Sequence, residues 1–299
     1  MSINQQHRKN IIALYCIIFY ALMIFKWWGG LFLYQLSPII YQTRFDFFTW
    51  QLMQTGLHTW LMHHEGGRYL LDGLFYSMPF LYWLTHRKNQ VWATVVAIIM
   101  LVVNWVYIQC YTLYPTSSIE SFIGWLLFPM LFITISLRSF YFMLQGLRYF
   151  FLFLFASAGL WKLVQQGAFN VPQMSGVLLY QHKEFLTSSP NYWLTHFFYW
   201  IINHPMVGYS MYLLGTLLEL MFITGFFTRK FDRILLYAFI LFLILDLFLM
   251  RIYYWELSPF IITLLYCRYK RPTVLRWTFL RPNAFYSTSG FDYIRPGRK

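Results

Sequence analysis

The chain is poor in charge. Only 11% of its 299 residues are Asp, Glu, Lys or Arg, and just 10 of these are acidic. So little polar material cannot cover a water-facing surface, which excludes an ordinary soluble domain. Long hydrophilic stretches are also missing, so no separate soluble domain is expected beside the apolar segments. Cysteine is scarce: Cys16, Cys110 and Cys267 all fall within apolar runs. An odd, scattered set builds neither a disulfide framework nor a CxxC redox pair, and small buried side chains account for it. The chain has no G-x-S-x-G, P-loop or dinucleotide fingerprint. It also lacks an internal repeat, so an inverted-repeat transporter finds no support.

What is abundant is hydrophobic surface, at 59% of residues, with aromatics at 23%. The apolar runs are continuous rather than alternating, which argues against a transmembrane barrel and for helices. The expectation is an all-α, polytopic integral membrane bundle of about eight transmembrane helices. The spans fall at about 11–33, 69–85, 91–113, 122–137, 147–164, 206–227, 234–254 and 257–268. The first run follows His7-Arg8-Lys9. It is too long for a signal-peptide core and has no small-residue cleavage site, so a retained signal-anchor helix is expected.

Charge orients the bundle. With the N-terminus in the cytoplasm, the segments on that side hold Arg8, Lys9, Arg87, Lys88, Arg138, Arg148, Arg229, Lys230 and Arg233. With Arg268 and seven more in a basic cytoplasmic tail at 269–299, 17 of the 23 Lys and Arg residues share one side. The positive-inside rule then places both termini in the cytoplasm of a bacterial-type inner membrane. The formal net charge of +13 follows from this topology and from attraction to anionic lipid headgroups, rather than from nucleic acid. Two outer segments, 34–68 and 165–205, are aromatic-rich and too apolar to float in water. Interfacial or re-entrant helices over the bundle mouth are expected there.

Several ionisable residues lie inside the apolar runs, where each needs a partner, a wet cavity or a task. Counting about 1.5 Å per residue from the cytoplasmic flanks puts Glu219 roughly 15 Å deep, and Asp246 and Lys162 near 20 Å. Arg251 and Lys26 fall near 25 Å on the same count. Glu256, His182 and Glu184 are candidates for a rim above these groups. One reading makes the charges helix-locking ion pairs, Lys162 with Asp246 and Glu219 with Arg251. The other makes them a functional site, since a desolvated Lys loses proton affinity and can act as a base. Beside an Asp it would stay charged. Lys26 precedes Trp27-Trp28-Gly29-Gly30 and is expected to snorkel to an interface. The run Ala156-Ser157-Ala158-Gly159 suits close helix approach, or room for a ligand ring. His58, His63, His64 and Glu65 form one cluster without ligand spacing or a second copy, so no metal site is assigned.

Ala158-Gly159-Leu160-Trp161-Lys162-Leu163 resembles an element at the outer end of a span in three groups of proteins. These are the vitamin K-dependent gamma-carboxylases and the related horizontally transferred transmembrane (HTTM) and DoxX-like membrane families. Gly176-Val177-Leu178-Leu179-Tyr180 is similar to the segment that follows that lysine in the carboxylase. Leu218-Glu219-Leu220 with Gly225-Phe226-Phe227-Thr228-Arg229 looks like a DoxX-like span end. The resemblance covers about residues 145–266 and implies that Lys162 stands where the carboxylase has its proposed hydroquinone-deprotonating base. Two features depart from the pattern. No counterpart of a carboxylase's large lumenal domain is expected, and Asp246 stands in the span where HTTM members often carry a histidine.

These observations suggest an intramembrane polar cavity that binds a quinone or similar isoprenoid and runs redox or proton-transfer chemistry. In it Lys162 would be base or anion anchor and Asp246 would tune it. Glu219 and Arg251 would support it, and His182 or Glu184 would relay protons outward. The alternative is a non-enzymatic scaffold or accessory subunit, docking a membrane-protein partner through the aromatic outer segments or the basic tail. A proton- or anion-coupled transporter would use the same charges.

Overall fold

Backbone amides in hydrocarbon must find their partners within their own segment, which a helix alone achieves locally. The computed structural model describes residues 3–36, 47–112, 119–250 and 254–266, and every regular element among them is helical. The basic tail and Arg251 lie outside the described residues. Five stretches are long and apolar enough to cross a membrane: Gln5–Gln35, Gln90–Tyr111, Leu137–Val164, Pro205–Phe227 and Asp232–Met250. Phe122–Ile133 and Trp255–Tyr266 are shorter apolar helices.

The chain begins with helix α1 (Ile3–Trp28) and a 3-10 turn at Leu33–Gln35. Two short helices, α2 (Phe47–Gln54) and α3 (Leu57–His63), lead into α4 (Glu65–Lys88), which contains the expected span 69–85. Next come α5 (Gln90–Thr112), α6 (Ile119–Ile133) and α7 (Leu137–Val164). A turn at Gly167–Phe169 precedes α8 (Gln173–Ser188) and α9 (Trp193–Asn203), so the expected outer segment 165–205 is itself largely helical. Then α10 (Pro205–Leu220) runs through a 3-10 turn into α11 (Thr224–Phe227). Helix α12 (Asp232–Leu245) ends in a π-helical turn at Asp246–Met250, and a 3-10 segment at Trp255–Phe260 leads into α13 (Ile261–Tyr266).

The core is aromatic. Tyr15 of α1 packs against Trp125, Phe128 and Phe132 of α6, with ring centroids 5.0–5.6 Å apart. Phe151 of α7 stacks on Phe260 at 5.1 Å and meets Phe222 and Phe239 edge-on. Such edge-on and stacked pairs match the quadrupoles of the rings and add to simple area burial.

The ends of the helices gather the basic residues. Arg8 of α1 donates to the carbonyls of Thr134 (2.6 Å) and Ile135 (3.0 Å), which follow α6. Lys9 of α1 and His86 and Arg87 of α4 line a common groove. The start of α1, the end of α4 and the end of α6 therefore share one end of the bundle.

Helix α7 differs from its expected span. Arg148 is expected at the cytoplasmic flank of a span beginning at 147. Instead the helix starts at Leu137, where the Ser136 side chain accepts from the Ser139 N–H at 3.0 Å. Arg148 is fully buried inside it and pairs with Asp232. Depths counted from Arg148 therefore start too far in, and Lys162 stands two residues before the far end of α7, at Val164.

Candidate functional site: a lysine–carboxylate cluster between α7, α10 and the end of α12

Lys162 is delivered by the last turn of α7, and the chain bends sharply just after it. Gln166 takes up the left-handed conformation (φ 59°) and its N–H bonds the Leu163 carbonyl at 3.0 Å. Gly167 follows, where a Cβ would lie 2.8 Å from Tyr212 Oη. This side-chain-free position lets α10 pass close, and Tyr209 Oη fastens it by donating to the Ala168 carbonyl at 2.9 Å.

Close approach continues along the α7–α10 seam. A Cβ at Gly159 would stand 3.0 Å from Leu220 and 3.1 Å from the Glu219 Cβ. The small-residue run therefore serves as a packing surface, and it brings Glu219 up beside Lys162. Lys162 Nζ donates to Glu219 Oε1 at 2.8 Å, and Nζ also sits 5.5 Å from the Tyr212 ring. The expected pairing of Lys162 with Asp246 is thus corrected: its ion-pair partner is Glu219. Gly159 is what lets α10 bring Glu219 this close.

The two partners differ in exposure. The Glu219 side chain is 4% exposed and that of Lys162 30%, so the carboxylate is inside and the ammonium reaches toward the surface. Glu219 Oε2 is buried and makes no hydrogen bond among the described residues. The same holds for Oδ2 of Asp246, which opens the π-helical turn after α12 and feels the charges of both Lys162 and Glu219. One ammonium thus pairs with one carboxylate within electrostatic reach of a second, and both carboxylates keep an acceptor oxygen in reserve. Buried acceptors without donors are uncommon and call for a proton, a water or a ligand.

His182 lies nearby in sequence space but has its own task. It is 2% exposed, stacks on Phe198 at 4.2 Å, and its Nε2 bonds the Leu249 carbonyl at 2.6 Å. It therefore ties α8 and α9 to the π-helical turn that begins at Asp246. Glu184, on the same helix, is exposed.

Glu256 belongs elsewhere. It pairs with Lys26 at 2.7 Å, under the rings of Tyr111 and Phe122 at 4.7 and 4.3 Å. The expectation for Lys26 is corrected, since it is buried against Glu256 rather than snorkelling. A Cβ at Gly124 would meet the Glu256 carbonyl at 2.7 Å, so this glycine is what lets α6 press the 3-10 segment toward Lys26.

Sequence reasoning missed Tyr212 and Asp232. Tyr212 precedes Glu219 by seven residues, two helical turns on one face, a signal that could have found it. Asp232 was hidden among Arg229, Lys230 and Arg233 and looked like surface charge. It is fully buried, and Arg148 Nη2 reaches both its Oδ1 at 2.5 Å and the Gly225 carbonyl at 3.0 Å.

Among the described residues no group of three or more His, Cys, Asp and Glu side chains is placed to hold a metal. The two described cavities lie elsewhere, one against Gln51, Thr55, Trp60 and Trp105 and the other at the basic end of the bundle. No family model matches the chain, and no curated protein or solved structure matches it either.

Proposed function

We propose that the Lys162–Glu219–Asp246 cluster is an intramembrane site for a hydroxyl-bearing ring such as a quinol or another isoprenoid, and that it moves protons there. The observation that carries this reading is the surplus of acceptors. A 2.8 Å ion pair in an apolar bundle leaves Glu219 Oε2 and Asp246 Oδ2 without a hydrogen bond among the described residues. In this proposal a quinol hydroxyl donates to a free carboxylate oxygen. As its O–H bond breaks, the proton passes to that carboxylate and the negative charge left on the ring oxygen rests against the Lys162 ammonium. In this reading Lys162 is the anchor and a carboxylate the base, because Lys162 Nζ already donates to Glu219 and the open acceptor oxygens belong to the carboxylates.

The resemblance to gamma-carboxylase-like, HTTM and DoxX-like proteins belongs to the same proposal, as do an eight-span count, interfacial outer helices and a bacterial-type inner membrane with both termini cytoplasmic. The apolar helices supply the lipid contact that such a location needs.

The test is the quinone content of protein purified with its native lipids. Loss of a charge-assisted hydrogen bond is worth about 1.5–3 kcal/mol, or roughly ten- to hundredfold in affinity. Lys162→Ala should therefore emerge essentially quinone-free at normal expression and helix content. Equal quinone content in both proteins would end this reading. A stoichiometric protein partner copurifying in that case would favour the scaffold.

A further inference from the structure

At the end of the bundle that holds Arg8, α1 and α4 enclose a groove of about 150 Å³ that the Lys162 site does not use. Lys9, Gln6 and Asn10 line it from α1, and Arg87, His86 and Trp83 from α4. Among the described residues its lining contains two cations and no carboxylate. Arg87 is held in place, with its guanidinium stacked 3.7 Å over the Trp83 ring. Gln6 Nε2 donates to Asn10 Oδ1 at 3.1 Å, which orders the amide side of the groove. His86 stacks on Tyr82 at 5.8 Å, and its shielded Nδ1 makes no hydrogen bond among the described residues. The first turn of α1 contains no acidic residue.

The groove also straddles a polarity boundary. Gln6, Lys9 and Asn10 are exposed, whereas Ile12 and Ala13, on the next turn of α1, supply an apolar floor. Trp83 stands at the matching level of α4, and tryptophan favours the headgroup region of a bilayer. A free phosphate ion would use only the basic half of such a groove. An amphiphile with an anionic head and an apolar body uses both.

We infer that this groove between α1 and α4 binds the phosphodiester headgroup of an anionic phospholipid, with Lys9 and Arg87 on the phosphate and the first acyl carbons over Ala13. The guanidinium offers paired N–H donors to phosphate oxygens and Lys9 a point charge. The amides of Gln6 and Asn10 face the rest of the headgroup.

The test is native mass spectrometry of the full-length protein in mixed micelles of phosphatidylglycerol and phosphatidylcholine. Each basic residue near an anionic surface contributes about 1 kcal/mol. Wild type should therefore retain phosphatidylglycerol over phosphatidylcholine by roughly thirtyfold, and Lys9→Gln/Arg87→Gln should lose that preference. Lys88→Gln, which does not line the groove, should keep it. Ala13→Phe, which fills the floor but keeps both charges, should lose it, and this holds the test open if the double variant folds poorly. Inorganic phosphate should not displace the lipid. The inference is overturned by equal retention of the two lipids, by a preference that survives both groove variants, by a Lys88→Gln loss as large as the double variant's, or by displacement with phosphate.

Discussion

At the scale of single residues, three cations among the described residues find carboxylates supplied from distant parts of the chain: Lys26 with Glu256, Arg148 with Asp232 and Lys162 with Glu219. Their environments are not equal. Both side chains of the Arg148 pair have zero exposure, whereas the Lys162 side chain is 30% exposed. Removing one member of a fully buried pair strands the other charge and costs about 3–5 kcal/mol. Arg148→Ala should therefore lower the thermal midpoint far more than Lys162→Ala, whose pair is partly screened. Replacing both members, as in Arg148→Leu/Asp232→Leu, should recover most of the loss, because no unpaired charge is left. A thermal-shift series on detergent-purified variants checks this, and a double variant as unstable as the single one would show that the pair is not the cause. That Lys162 needed a partner was legible from its apolar surroundings. Which carboxylate it takes was not, because depth counting set Asp246 level with Lys162 and Glu219 about 5 Å away, and the structure chose Glu219.

At the scale of elements, glycine positions decide where the helices meet. A Cβ at Gly225 would fall 2.5 Å from Leu152, and one at Gly159 about 3.0 Å from Leu220. The two contacts hold the α10–α11 stretch against α7, one beside the Arg148 carbonyl contact and one beside the Lys162 pair. Gly159→Val should force α10 outward and lengthen the 2.8 Å Lys162–Glu219 contact. The expected loss is about 1–3 kcal/mol, as for overpacking in a tight core. A crosslink between cysteines placed at positions 160 and 217 would report the seam, with lower yield in Gly159→Val. Unchanged yield and stability would mean that the seam yields without cost. Helix α7 shows why span limits were only partly readable. Arg138, Gln145 and Arg148 make its first turns look like a loop, yet Arg148 is neutralised by Asp232 and the Ser136 cap starts the helix early. Hydropathy sums over residues one at a time, so it cannot credit a charge with a partner that arrives later in the chain.

At the scale of the whole molecule, the basic residues at the start of α1 and the end of α4 meet in one groove, and Arg8 reaches the end of α6. That clustering leads to a topological prediction. In a cysteine-free background, Asn89→Cys, between α4 and α5, should react with an impermeant maleimide only after the cytoplasmic face is opened. Asn191→Cys, between α8 and α9, should react in intact cells. Labelling of both from the same side would refute the positive-inside assignment. The sequence by itself determined that the chain is helical and apolar, because helix hydrogen bonds are local and transfer free energies accumulate along each run. The tertiary structure alone decided the pairings, since Lys162 and Glu219 are 57 residues apart and Arg148 and Asp232 are 84 apart. Such contacts depend on which helix faces turn toward each other and how closely a glycine lets them approach, and no local pattern in the chain carries that information.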